Sequence, residues 1–294
     1  MSSILDDLKL QYHIGGVANK LIYWNIGLFV VPYVLFAILR LFTIEVDFLQ
    51  YVSLSSNPVE LLWKPWSIVS YAFFHAGILH ILFNMLVLNF SSRLFLTFFS
   101  QKQLLALYFT GAIFAGIIYL LSYFAFPALA NLKVSLVGAS ASIMAILFAA
   151  VAYSPLMEVR LLLIGNVKLW HIAAFLIIMD LIQLPLENTG GHLSHLGGAL
   201  FGYLYVKQLQ NGTDLGLWFT KTIDFFADVT GRRKASPFKK VHKNYKQAIV
   251  KPVSKIITKD KTQQQIDEIL DKISQSGYDI LTKEEKEFLF KMGK

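Results

Sequence analysis

The feature that most constrains this chain is a succession of long apolar runs separated by short polar breaks. The runs occupy residues 21–42, 78–99, 104–126, 136–153, 169–184 and 192–209. A helix needs about 20 residues to cross a hydrocarbon core about 30 Å thick. Inside lipid, only elements that satisfy their own backbone hydrogen bonds are tolerated. The pattern therefore predicts an all-α polytopic membrane protein with six transmembrane helices. The fourth and fifth runs are short for a full crossing, which predicts helices that begin or end inside the protein beside a water-filled cavity.

Composition agrees with this reading. The chain is 55% hydrophobic and only 16% charged, where soluble domains carry about a quarter of their residues as charges. It has no cysteine, which excludes a disulfide scaffold, a cysteine nucleophile and a thiolate zinc site. The charge is uneven. Residues 1–206 hold 9 Lys and Arg against 8 Asp and Glu, whereas residues 207–294 hold 18 against 11, so most of the net +8 belongs to the tail. Acidic residues are mixed among those basic ones, so no nucleic-acid partner is expected.

Six crossings place both termini on one side. With the termini inside, Lys9, Lys20, Arg93, Lys102, Arg160, Lys168 and the basic tail face inward, and Lys64 and Lys133 face outward. The positive-inside rule favours that orientation, with cytoplasmic termini. No signal peptide is expected ahead of the first run. Four segments follow. Residues 1–20 form a cytoplasmic N-terminal segment and 21–210 the membrane domain. Residues 211–261 form an interfacial helix with a basic linker. Residues 262–294 form a small cytoplasmic helical hairpin, with Gly277 as a stop and Thr282 and Glu285 at capping-box spacing. The amphipathic stretch 43–66, rich in Leu, Phe and Trp, suits the membrane interface.

Polar groups inside a bilayer are costly, so each is a functional candidate. They are His80 and Asn84 in the second run, Ser140 and Ser142 in the fourth, Asp180 in the fifth, and His192 and His195 in the sixth. Ser140 lies in Gly138-Ala139-Ser140-Ala141-Ser142, at the outer end of its helix among small residues that permit close approach. Taken alone, that pentapeptide reads more readily as a helix-packing segment. His195, Gly198 and Gly202 share one helix face. The two glycines flatten that face, so it can press on the Ser140 helix and bring His195 Nε2 to Ser140 Oγ, a nucleophile beside its base. His192 is one turn away and reads as supportive. His80 and Asn84 share a face and can donate to an oxyanion, although interhelical hydrogen bonding would use the same residues.

These residues resemble the rhomboid family of intramembrane serine proteases. The matching pieces are His80-Ile81-Leu82-Phe83-Asn84, Gly138-Ala139-Ser140-Ala141, and His195-Leu196-Gly197-Gly198 running on to Gly202. Pro65-Trp66 and Tyr71-Ala72-Phe73-Phe74-His75 resemble the family's approach to the second span. The resemblance covers about residues 20–210. It implies a six-helix core with a serine–histidine dyad and no third acid. Ser140 would be the nucleophile and His195 the general base. His80, Asn84 and the Ser140 amide would form the oxyanion hole, with Gly138 supporting it and Gly198 and Gly202 packing the helices. It implies transmembrane protein substrates in the lipid bilayer, and no metal or cofactor. The chain departs from the family pattern at Ala141, Met144 and Ser91-Ser92. It departs also at Ser67, where an anchor of the first loop is expected to be missing. The competing readings are a non-catalytic rhomboid-like protein that binds membrane helices, and a small transporter. Asp180 is expected to be structural, in the inner half of its span and away from His195.

Overall fold

The computed structural model describes residues 3–162, 164–186, 188–230 and 261–292, and its contacts divide the chain into two units, 1–234 and 235–294. Among the described residues of the first unit, three helices are long and apolar enough to cross a membrane: α2 (Gly16–Leu41), α6 (Ile78–Leu96) and α7 (Gln101–Ala125). Two more, α8 (Ser140–Tyr153) and α9 (Leu169–Gln183), are apolar but shorter. A further helix, α10 (Thr189–Gln210), has the length, but Gly and His interrupt its first half.

The short α8 is the centre of the bundle, with α6, α7 and α10 packed around it. Every residue from Ala141 to Leu147 is buried. Fourteen residues make a helix only about 21 Å long, which suits an element enclosed by protein rather than by lipid. The approach of α10 to α8 depends on two glycines. A Cβ at Gly198 would run into the Ala141 carbonyl oxygen, and one at Gly202 into that of Ala145. Small residues at i and i+4 therefore set the helix separation. On the far side, α2 packs on α6 and α7. There the buried Asn25 donates from Nδ2 to the Leu21 carbonyl at 2.8 Å and to Tyr108 Oη at 3.2 Å.

The segment between α2 and α6 folds into three short helices, α3 (Leu49–Val52), α4 (Glu60–Trp63) and α5 (Ser67–Ser70). Leu62, Trp63 and Trp66 stay exposed. The segment is well anchored despite Ser67. Lys64 Nζ donates to the Gln50 carbonyl at 2.9 Å, Trp66 Nε1 to that of Tyr51 at 2.8 Å, and Ser70 Oγ to that of Val52 at 2.7 Å. A two-residue strand, β1 (Leu54–Ser55), pairs antiparallel with β2 (Ser135–Leu136) in the register Leu54↔Leu136. That pairing fixes the chain just ahead of Ser140.

Two elements go beyond the sequence reading. The N-terminal segment holds a helix, α1 (Ile4–Ile14). A capping box starts it, in which the Asp6 amide donates to Ser3 Oγ and the Ser3 amide to the Asp6 carboxylate. A hairpin of β3 (Glu158–Leu161) and β4 (Gly165–Lys168) joins α8 to α9. The stretch read as interfacial forms α11 (Leu217–Val229). Phe219 stacks on Phe109 of α7 at 4.8 Å, and Lys102 pairs with Asp224 at 3.1 Å. Trp218, Phe225 and Phe226 remain exposed. The linker expected to complete 211–261 falls, over 231–260, outside the described residues.

The second unit contains α12 (Lys261–Ser276) and α13 (Lys283–Met292), within the segment 262–294 read as a helical hairpin. Gly277, at φ +81°, ends the first helix. The Thr282 amide donates to Glu285 Oε2 at 2.9 Å and the Glu285 amide to Thr282 Oγ1 at 3.3 Å, which completes the capping box. Among the described residues of this unit, Ile269 and Leu281 are the buried apolar ones.

Candidate active site

The site is assembled at one end of the bundle. Ser140 is the first residue of α8, so the amides beside it have no intrahelical acceptor. The turn that delivers it needs glycine: Gly138 adopts φ +128°, and a Cβ there would meet the His80 ring. The Gly138 amide donates to the Tyr71 carbonyl at 2.9 Å. The Ala139 amide donates to Nε2 of the fully buried His75 at 3.5 Å. His75 thus steadies the segment ahead of the serine. The sequence reading noted it only as preceding the second span, although its place five residues before His80 was a usable signal. The two rings meet edge to face at 5.1 Å.

From α10, His195 Nε2 reaches Ser140 Oγ at 2.7 Å. Ser142, two residues on, is turned away by roughly 200°. It is fully buried, and its hydroxyl has no hydrogen-bond partner. His80 and Asn84 line the same cleft as Ser140 and His195, together with Phe83, Met144, Asp180 and His192. The cleft has a volume of about 330 Å³. Asn84 Nδ2 donates to the His80 carbonyl at 2.9 Å, and the amide keeps a second N–H. The structure therefore brings Ser140, His195, His80, Asn84 and Gly138 together, with Gly198 and Gly202 in the packing seam below.

Asp180 corrects the sequence reading. Its Oδ1 lies 2.9 Å from His195 Nδ1 and 2.7 Å from His192 Nδ1. The expectation of a distant, inner-half residue failed on the direction of its span. α9 runs oppositely to α8 and α10, so that Asp180, late in α9, meets His192 and His195, early in α10. Its late residues share an end of the bundle with the early residues of those helices. Asp180 is twelve residues into α9, and Ser140 and His195 lie early in theirs. Asp180, His192 and His195 are also a group able to hold a cation, their donor atoms lying within 4.8 Å of one another. In this structure those atoms engage each other at hydrogen-bond distances.

The comparisons with known proteins bear on the same region. The model of the rhomboid domain family matches residues 62–210, just over half the chain. The chain belongs to the rhomboid family. Presenilin-associated rhomboid-like protein A, mitochondrial, from Danio rerio is 31% identical over 155 residues, which are 52% of this chain and 39% of that protein. The chain thus spans well under half the length of the curated relative it matches. A family of unknown function (DUF6576) matches residues 257–292, the region of the C-terminal hairpin. As a rhomboid-family chain with helices long and apolar enough to span a bilayer, this is an integral membrane protein of helical-bundle fold.

Proposed function

We propose that this chain is an intramembrane serine protease that cleaves peptide bonds in or beside the transmembrane segments of other proteins. The observation that carries the reading is the 2.7 Å contact between His195 Nε2 and Ser140 Oγ, in a cleft also lined by His80 and Asn84. In this reading His195 takes the Ser140 proton as Oγ attacks the scissile carbonyl. The developing oxyanion is met by the Ser140 amide at the start of α8, the Asn84 amide and the His80 ring. His195 then protonates the leaving amine, and water hydrolyses the acyl-enzyme. The substrate helix must unwind locally to present its carbonyl, so small or helix-breaking residues near the scissile bond favour cleavage.

The same reading takes six crossings, with the four segments bounded at 20, 210 and 261. The charge distribution supports both termini on the cytoplasmic side, and the reading takes the membrane to be a bacterial inner membrane. The partners are transmembrane substrates and the bilayer itself. The test is to incubate detergent-purified protein with a labelled transmembrane substrate. Wild type should release a defined fragment, and Ser140→Ala should release none. Equal release by both would overturn the protease reading. Binding of the substrate helix with no cleavage by wild type would favour the non-catalytic alternative.

A further inference from the structure

We propose that Asp180 is a positioning residue that sets the tautomer and orientation of His195, so that the site works as a serine–histidine–aspartate triad rather than a dyad. The inference rests on the protease reading above. The first support is placement. The exposed side of α9 carries Phe175, Ile178, Leu181 and Ile182, whereas Asp180 is buried. A carboxylate on such a helix must be supplied with hydrogen-bond donors by the protein. Its donors are two imidazoles three residues apart on α10, whose ring centroids lie 5.7 Å apart, edge to face.

The second support is the logic of donors and acceptors. An ionised carboxylate only accepts hydrogen bonds, and a neutral imidazole has one N–H. Oδ1 within 3 Å of both Nδ1 atoms therefore places the proton of each ring on Nδ1. That leaves His195 Nε2 as a lone pair facing Ser140 Oγ, the tautomer able to accept the serine proton. The opposite tautomer would point an N–H at the hydroxyl and could not act as a base. When the proton moves from Oγ to Nε2, the ring gains a positive charge with the carboxylate already in place 2.9 Å from its other nitrogen. His192 shares the same oxygen, which braces Asp180 from the neighbouring turn.

A plain structural reading is that Asp180 only ties α9 to α10. The two roles separate on Asp180→Asn. The amide keeps the size and an acceptor oxygen, so a tether survives, but it loses the charge and can offer an N–H to the ring instead. Substitutions of this kind in aqueous triads cost about 10⁴ in kcat. The experiment measures kcat and KM of wild type, Ser140→Ala and Asp180→Asn on one labelled transmembrane substrate in detergent. The proposal expects Asp180→Asn to lose about 100-fold or more in kcat with KM within threefold of wild type. A loss of less than tenfold, or one confined to KM, would overturn it while leaving the protease reading intact. An inactive wild type, or an active Ser140→Ala, would sink the protease reading and this inference with it. Should Asp180→Asn fail to fold, the proton spectrum of wild type decides. A far-downfield imidazole Nδ1–H resonance that His195→Gln removes supports the triad, and its absence overturns it.

Discussion

Ser142 and Ser140 differ by two positions, yet their surroundings oppose each other. Ser140 Oγ meets His195 in the cleft, and Ser142 Oγ is sealed in the helix bundle without a partner. A buried, unsatisfied hydroxyl is a net cost. Ser142→Ala is therefore expected to keep full cleavage and to leave stability unchanged or raised by up to about 1 kcal/mol. Parallel thermal melts and cleavage assays check this, and loss of cleavage in a folded Ser142→Ala protein would contradict the account. At this scale the sequence was informative wherever chemistry and spacing coincided. The small residues around Ser140 and the His195, Gly198, Gly202 face already marked two surfaces able to touch. Asp180 was legible as a costly intramembrane charge, but its partner was not. Its depth depends on the direction of α9, a property of the whole topology rather than of the residue.

At the scale of the element, the separation of α8 and α10 governs the site, because His195 rides on one helix and Ser140 on the other. Gly198 and Gly202 face the Ala141 and Ala145 carbonyls so closely that neither has room for a Cβ. Gly198→Val should push the helices apart and destabilise the bundle by about 1–3 kcal/mol, the usual range for overpacking. It should lower kcat even where the protein remains folded, since the base moves with its helix. A variant with unchanged melting temperature and cleavage would show that the seam does not set the geometry. The long helices were readable from apolar length alone. The α1 helix and the β3–β4 hairpin were not singled out. The first depends on the Ser3–Asp6 capping box within a polar segment, and the second is a short connection whose pairing lies between apolar runs.

At the scale of the molecule, two questions follow from the arrangement: which side each end occupies, and whether the C-terminal unit matters to the chemistry. The absence of cysteine makes the first direct. Single cysteines at Ser3 and Thr213 should react with an impermeant maleimide only after the cells are opened, and one at Lys133 should react in intact cells. The reverse pattern would invert the topology. For the second, residues 262–294 belong to the second unit, in which α12 and α13 carry their own buried residues and cap. Deleting them should leave Ser140-dependent cleavage in detergent within a few-fold of wild type. Complete loss in a folded truncation would show that the hairpin is coupled to the active site. The central claim is that Ser140 is a nucleophile activated by His195. Its most direct test is to treat the purified protein with a fluorophosphonate and locate the adduct by mass spectrometry. The account predicts phosphonylation on Ser140, none on Ser142 or Ser194, and loss of the adduct in His195→Ala. Labelling of Ser140 that persists undiminished in His195→Ala, or wild type that leaves Ser140 unmodified, would contradict it.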